Sequence, residues 1–323
     1  LKENASGRGY LFICCTPLQG IIARRIIEAE GLDKDLCHVF FYTSFDNEIY
    51  RNYYNQVRKL CSTGFYYVWK PNFPAYIKDS KSYFSSISYH SCWFASIDSI
   101  FVQLSLGRGG KDIYTFDDGA ANVVSESHYY RNEKVLNYKK WIFWLLGNRY
   151  SRDRIKDESI RHYTIFPGQK NITDNIKSVD LFLEEERCQS LGECVVVLGT
   201  VLRELCPSSE EVERVHTSLQ GYIDRICEDV FYIPHPREGD VSIKNVEILR
   251  ERCVAEDIVC RLLEKYNRIY LAGFGSTAQL TLAGIKEVKS CFFCWEGEPV
   301  TVKEVRKLAG ELSINSPKEV VLF

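Results

Sequence analysis

The chain has 323 residues, 45% apolar and 26% charged, with a formal net charge of −2. This is the composition of a globular protein long enough for two domains, and it gives no general electrostatic attraction to nucleic acid. No run approaches the ~18 apolar residues that span a bilayer and no secretory signal opens the chain, so any membrane association is expected to be peripheral.

Taken in order, Tyr10–Cys15 reads as a buried strand. Thr16-Pro17 then supplies a cap and a first-turn proline for a helix over Leu18–Glu30, closed by Gly31. A strand over Val39–Thr43, a helix over Asn47–Leu60 and a strand over Phe65–Trp69 follow. The Ser- and aromatic-rich stretch Pro71–Ser99 gives no clear period, though its second half favours helix. Asp112–Phe116 is a strand that runs into Asp117-Asp118-Gly119, Lys134–Leu146 is an amphipathic aromatic helix, and His162–Phe166 is a strand closed by Pro167-Gly168. The charged stretch Glu184–Arg187 is read as the domain boundary, giving domains 1–186 and 187–323.

The pattern then restarts. Cys194–Leu198 is a strand ending at Gly199-Thr200, and Pro207 opens a helix to Glu228. A strand over Val230–Ile233 meets Pro234-His235-Pro236-Arg237, and a short segment lies near Val246–Leu249. A helix over Ala255–Tyr266, a strand over Arg268–Ala272, the turn Gly273–Thr277 with its helix, a strand over Lys289–Trp295 and a helix over Val300–Leu312 finish the chain. Strand–helix alternation in both halves predicts two parallel α/β sheets, two Rossmann-like domains facing across a cleft.

The 13 cysteines lie mostly in apolar runs (Cys14, Cys15, Cys194, Cys291, Cys294), where a reduced thiol packs as a small hydrophobe. Cys291 and Cys294 have C-x-x-C spacing but no second pair at zinc spacing, so neither metal nor cofactor is expected and a reducing cytoplasm fits.

Four strand ends carry the chemistry. His235 is held between two prolines that fix φ and lack N–H groups, so a stiff loop presents its imidazole; as imidazolium it would donate to a phosphate oxygen. Arg237 would pair with a phosphate or with a nearby acid. Gly275, Ser276 and Thr277 combine glycine freedom with hydroxyls at a helix start, suited to phosphate or simply to capping. Asp117, Asp118 and Gly119 offer paired acids for a sugar hydroxyl or for base catalysis, or form a plain turn. Gly199 and Thr200 complete the set, with Glu204 just beyond.

Together these stretches resemble glycosyltransferase family 52, the bacterial lipooligosaccharide and capsule sialyltransferases. The matching pieces are Thr115-Phe-Asp-Asp-Gly119 with Asn122, His162–Phe166 with Gly168 and Lys170-Asn171-Ile172, Pro234-His-Pro-Arg237, and the Gly-Ser turn before Ala278 and Leu280-Thr281. The resemblance implies a GT-B type fold, with an acceptor-side domain followed by a nucleotide-sugar-binding domain. It also implies inverting, metal-independent transfer from CMP-sialic acid, with galactose-terminated glycan as acceptor. His235 then assists departure of CMP, with Pro234 and Pro236 beside it. The family's base is an aspartate whose counterpart here is Leu202. Either Glu204 replaces it, or Asp118 does, as an equivalent Asp-Asp-Gly motif does in other bacterial sialyltransferases, or the donor differs. Placement at the inner face of the bacterial plasma membrane is a further expectation, and the Lys134–Leu146 face is read either as burying a homodimer interface or as intradomain core.

Overall fold

The computed structural model describes residues 9–70, 72–107, 109–125, 127–131, 141, 144–145, 148–181, 191–313 and 316–323. The chain divides into two compact units, Leu1–Leu183 and Glu184–Phe323. The expected boundary segment Glu184–Arg187 lies outside the described residues, as does all of the expected helix Lys134–Leu146 except Trp141, Trp144 and Leu145.

The first unit is a seven-stranded parallel sheet. Its strands are β1 (Gly9–Cys14), β2 (Cys37–Thr43), β3 (Thr63–Val68), β4 (Tyr89–Phe94), β5 (Asp112–Phe116), β6 (Ser159–Thr164) and β7 (Ile176–Ser178), in the order β3-β2-β1-β4-β5-β6-β7. The helix after β1, Pro17–Ala29, starts where Thr16 accepts a hydrogen bond from Gln19 N, and it buries Ile21, Ile22, Ile26 and Ile27 against the sheet. Gly31, at φ +59°, ends it, because the left-handed turn there excludes most side chains. On one face Phe40 is fully buried among Phe65, Tyr67, Tyr83, Phe84 and Phe101, with ring centroids 5.0–6.2 Å away. Such aromatic pairs add ~0.5–1.5 kcal/mol each beyond area burial.

The stretch without a clear period resolves into a helix, Phe73–Ser86, and then β4. β4 lies beside β1 at the centre of the sheet. Its sequence, Tyr-His-Ser-Cys-Trp-Phe, interrupts the apolar run with His90 and Ser91. Ser91 is buried and is satisfied by the Trp93 indole, Nε1 to Oγ at 2.9 Å.

The second unit repeats the plan with six parallel strands. They are β8 (Leu191–Leu198), β9 (Asp229–Ile233), β10 (Glu247–Ile248), β11 (Tyr266–Gly273), β12 (Val288–Cys294) and β13 (Lys318–Val321), in the order β10-β9-β8-β11-β12-β13. Cys194–Leu198 is buried on both faces, as a central parallel strand requires. In both units the order reverses beside the first strand, between β1 and β4 and between β8 and β11. That is the Rossmann arrangement, in which ligands bind outside the carboxyl ends of the strands at the reversal. Among the described residues no helix is long and apolar enough to cross a membrane, and each described cysteine is a free thiol.

Candidate functional site

In the second unit the register sets Leu198 level with Ile233 and Val197 level with Ala272. The loops after β8, β9 and β11 therefore leave the sheet at one edge. β8 lies between the other two, so the His235 loop and the Gly275 loop are separated by two strand spacings, roughly 10 Å.

The Pro234–Glu238 loop is closed on itself. His235 N donates to Glu238 Oε2 at 2.9 Å, Glu238 N donates to His235 O at 2.8 Å, and Arg237 N donates to His235 Nδ1 at 3.1 Å. With Nδ1 accepting, the neutral ring carries its proton on Nε2. Burial, then the neighbouring Arg237 charge, lowers the His235 pKa, against a smaller opposite pull from Glu204. The ring is thus neutral at pH 7. In place of the expected imidazolium, the neutral ring offers Nε2–H as a donor.

Arg237 and Glu204 face each other in a two-pronged ion pair, Nη1–Oε1 at 2.5 Å and Nη2–Oε2 at 2.9 Å. Both side chains are about half exposed, 45% and 50%, so the pair is worth at most ~1 kcal/mol and an incoming phosphate can compete for it. Both Glu204 oxygens are engaged by Arg237 in this arrangement. Leu202 opens the short helix Leu202–Leu205, one turn from this pair.

Gly199 has a sharper reason to be glycine than ligand approach. A Cβ there would lie 2.1 Å from Glu238 Oε2 and 2.8 Å from Tyr232 Oη. Thr200 follows, half-buried. After β11, Gly275 N and Ser276 N both donate to Gln279 Oε1, at 2.9 and 3.2 Å, while Ser276 Oγ accepts from Gln279 N. The amides expected to hold phosphate are therefore taken by a capping box, and the helix they start, Thr277–Thr281, has only five residues. Gly275 keeps its value as a turn residue at φ +84°, but the capping reading prevails over the phosphate one for Gly275 and Ser276.

In the first unit the two acids of Asp117-Asp118-Gly119 part company. Asp117 is fully enclosed and accepts from His162 Nε2 (2.8 Å), Thr164 Oγ1 (2.7 Å), Ile165 N (2.8 Å) and Asn171 Nδ2 (2.9 Å). Nothing of it is left for a substrate, so the expectation of direct binding by Asp117 gives way to a role in holding the β5 and β6 ends together. Gly119, at φ +104° and ψ −151°, sits in backbone space open only to glycine and turns the chain between the two roles.

Asp118 is half-buried and is held by side chains that follow β1 and β4 and by Tyr129, eleven residues further along its own loop. Gln19 Nε2, after β1, donates to Oδ1; Ser96 Oγ, after β4, lies 3.3 Å from Oδ2; Tyr129 Oη donates to Oδ2 at 2.6 Å. Its backbone N–H is fixed by Asn122 Oδ1 at 2.7 Å. Burial raises the Asp118 pKa, opposed by the Tyr129 and Gln19 hydrogen bonds. A carboxylate with raised pKa at the order reversal of a parallel sheet is a general-base candidate. Ser96 and Tyr129 were not singled out from sequence, and Gln19 only as the start of the resemblance, without a role; the Thr16-x-x-Gln19 capping spacing could have marked it. Among the described residues no group of three or more His, Cys, Asp or Glu is placed to hold a metal ion.

Comparison with known proteins shows the family and the fold. The model of glycosyltransferase family 52 matches residues 34–293. An N-acetyllactosaminide alpha-2,3-sialyltransferase of Haemophilus influenzae is 28% identical, over 83% of this chain and 86% of that protein. A CMP-N-acetylneuraminate:beta-galactoside alpha-2,3-sialyltransferase of Pasteurella multocida is 27% identical, over 82% and 85%. Among solved structures, a spinosyn forosaminyltransferase has a TM-score of 0.55 at 12% identity, covering 98% of this chain and 86% of its own. A putative UDP-N-acetylglucosamine 2-epimerase from Listeria monocytogenes has a TM-score of 0.58 at 10% identity, covering 97% and 85%. These structural likenesses carry the fold alone, two Rossmann-like domains of the GT-B type.

Proposed function

The chain belongs to glycosyltransferase family 52, and from that premise we propose that it moves sialic acid from CMP-sialic acid to a terminal galactose of a bacterial surface glycan, lipooligosaccharide or capsule. The relatives named above as alpha-2,3-sialyltransferases support the donor and the acceptor sugar. The observation that carries the reading is His235: a neutral ring at the end of β9, its Nδ1 engaged, with Nε2–H offered as the donor. That is what a departing phosphate oxygen requires.

The proposed reaction assigns a role to each part, Asp118 in the first unit and His235 and Arg237 in the second. Asp118 takes the proton of the galactose hydroxyl. The oxygen forms a bond to the anomeric carbon as the carbon–oxygen bond to CMP breaks on the opposite face, which inverts the centre. The bonding pair leaves on the phosphate, where the neutral His235 Nε2–H donates a hydrogen bond to the new charge. Arg237, released from Glu204, adds a cationic contact beside that neutral donor. CMP bears negative charge well as a leaving group, so no metal role is assigned. The same reading places the protein in the cytoplasm, against the inner face of the plasma membrane.

The test is transfer by purified protein from CMP-sialic acid to a galactose-terminated oligosaccharide, followed as CMP release and product stereochemistry. His235→Ala is expected to lower kcat by ~10²-fold. Transfer from a UDP- or GDP-sugar with none from CMP-sialic acid would replace the donor assignment. That second reading is favoured by Leu202, which stands where the family carries an aspartate.

A further inference from the structure

His235 cannot present itself unaided. Its flanking prolines have no N–H groups to anchor the loop, and the three amides that exist, at His235, Arg237 and Glu238, are all used inside the loop. One side chain ties that loop to the sheet. The Glu238 carboxylate accepts from His235 N through Oε2 and from the Tyr232 phenol through Oε1, at 2.9 and 2.6 Å. Tyr232 is 3% exposed near the end of β9, so it is a fixed post. Burial, with Glu238 as its hydrogen-bond partner, pushes its pKa up, which keeps the phenol a donor. The carboxylate also lies over Gly199 at the end of β8, in the space a Cβ would fill.

Resting on the reading that His235 faces the leaving phosphate, we propose that Glu238 is a positioning residue of the transfer reaction. Clamped between Tyr232 Oη and His235 N over the bare Gly199, it fixes the loop so that Arg237 N–H holds Nδ1 and Nε2–H points out as the donor. Loss of the clamp frees the His235 amide and the phenol, and the loop can re-pair. The imidazole then loses both its tautomer preference and its aim. A displacement of about 1 Å at a catalytic group costs up to ~10²-fold in rate.

The experiment uses the full chain with labelled histidine; the His235 signals, one of six histidines, are assigned by their loss in His235→Ala. Nitrogen chemical shifts at pH 8 report the tautomer, and steady-state kinetics with CMP-sialic acid report kcat and KM separately. Wild type is expected to show the Nε2–H form. Glu238→Ala should show a tautomer mixture and a kcat lower by up to ~10²-fold, with KM for the donor little changed. Glu238→Gln, whose amide can still bridge His235 N and Tyr232 Oη, should recover most of the loss. Gly199→Ala should match Glu238→Ala by evicting the same carboxylate, and the double variant should fall no further, as expected when both act through one contact. Where Glu238→Ala melts below the assay temperature, Glu238→Asp, too short to span both partners, reads the same displacement. An unshifted tautomer in Glu238→Ala and Gly199→Ala overturns the proposal, as does a Glu238→Gln kcat as low as that of Glu238→Ala. Wild type inactive on CMP-sialic acid would sink the donor reading alone, because the tautomer measurement still decides what Glu238 does.

Discussion

Two glutamines do the same local job in the two units and end in different roles. Gln19 and Gln279 each stand three residues beyond a capping Thr or Ser, at a strand end beside the order reversal. Each turns its side-chain carbonyl back onto the loop amides, Cys15 N at 2.7 Å for Gln19 and Gly275 N at 2.9 Å for Gln279. They differ in where the amide NH2 goes. In Gln279 it donates to Leu271 O and Cys291 O, closing the account within the backbone. In Gln19 it donates to Ser96 Oγ and to Asp118. One loop is therefore a finished cap, while the other steers a carboxylate that can titrate. A small-residue turn at a helix start is thus not by itself a phosphate site, and the partner of the last free amide separates the two cases.

The comparison is sharpened first by Asp118→Asn. Loss of the base should cut kcat by ~10²–10⁴-fold in a transfer assay. Burial raises the Asp118 pKa, so the folded state holds that proton more tightly than the unfolded chain does. Stability is therefore lost as pH rises from the unfolded value through the folded one. At pH 7 the neutral amide should leave the melting temperature unchanged or higher, measurable by calorimetry.

Next, Gln279→Ala should cost on the order of 3 kcal/mol in urea unfolding, because it strands buried amides and carbonyls, with turnover per folded molecule kept. Gln19→Ala should instead lower kcat by about 10-fold, the scale of one hydrogen bond to a charge. It also removes a contact that favours the ionised carboxylate, so the acid limb of the kcat/KM profile should move to higher pH. Equal behaviour of the two alanine variants would erase the distinction. A smaller effect is expected from Glu204→Gln: with its ion pair exposed, stability should change by less than ~1 kcal/mol and kcat by only a few-fold. A 10²-fold loss there would move the base to Glu204. Smallest of all, EDTA should leave turnover unchanged.

Much of this was legible in the residues. Apolar runs such as Cys194–Leu198 can only be central parallel strands, and prolines on either side of His235 can only end one. β4 was hidden because His90 and Ser91 break its apolar run, and the contacts that accommodate them, Trp93 for Ser91 and the Tyr10 ring for His90, appear only in the folded strand. The two adjacent aspartates read alike in sequence, and only the β6 neighbours His162 and Thr164 reveal that Asp117 is consumed internally. Glu204 and Arg237 are separated by 33 positions, so their pairing was one option among several until the fold joined them. Glu238 escaped notice because its meaning lies in an absent side chain, that of Gly199.

The central pairing of the second sheet has a bearing on biosynthesis. β8 is completed along one side by β11, with Leu191 opposite Tyr266 and Val197 opposite Ala272. Until the ribosome has delivered Tyr266–Gly273, a long strand rim with Glu193 as its lone charge stays open in the nascent chain, a template for pairing with other copies. Truncations ending before that point should collect in inclusion bodies, while chains carried past β12 should release as soluble protein.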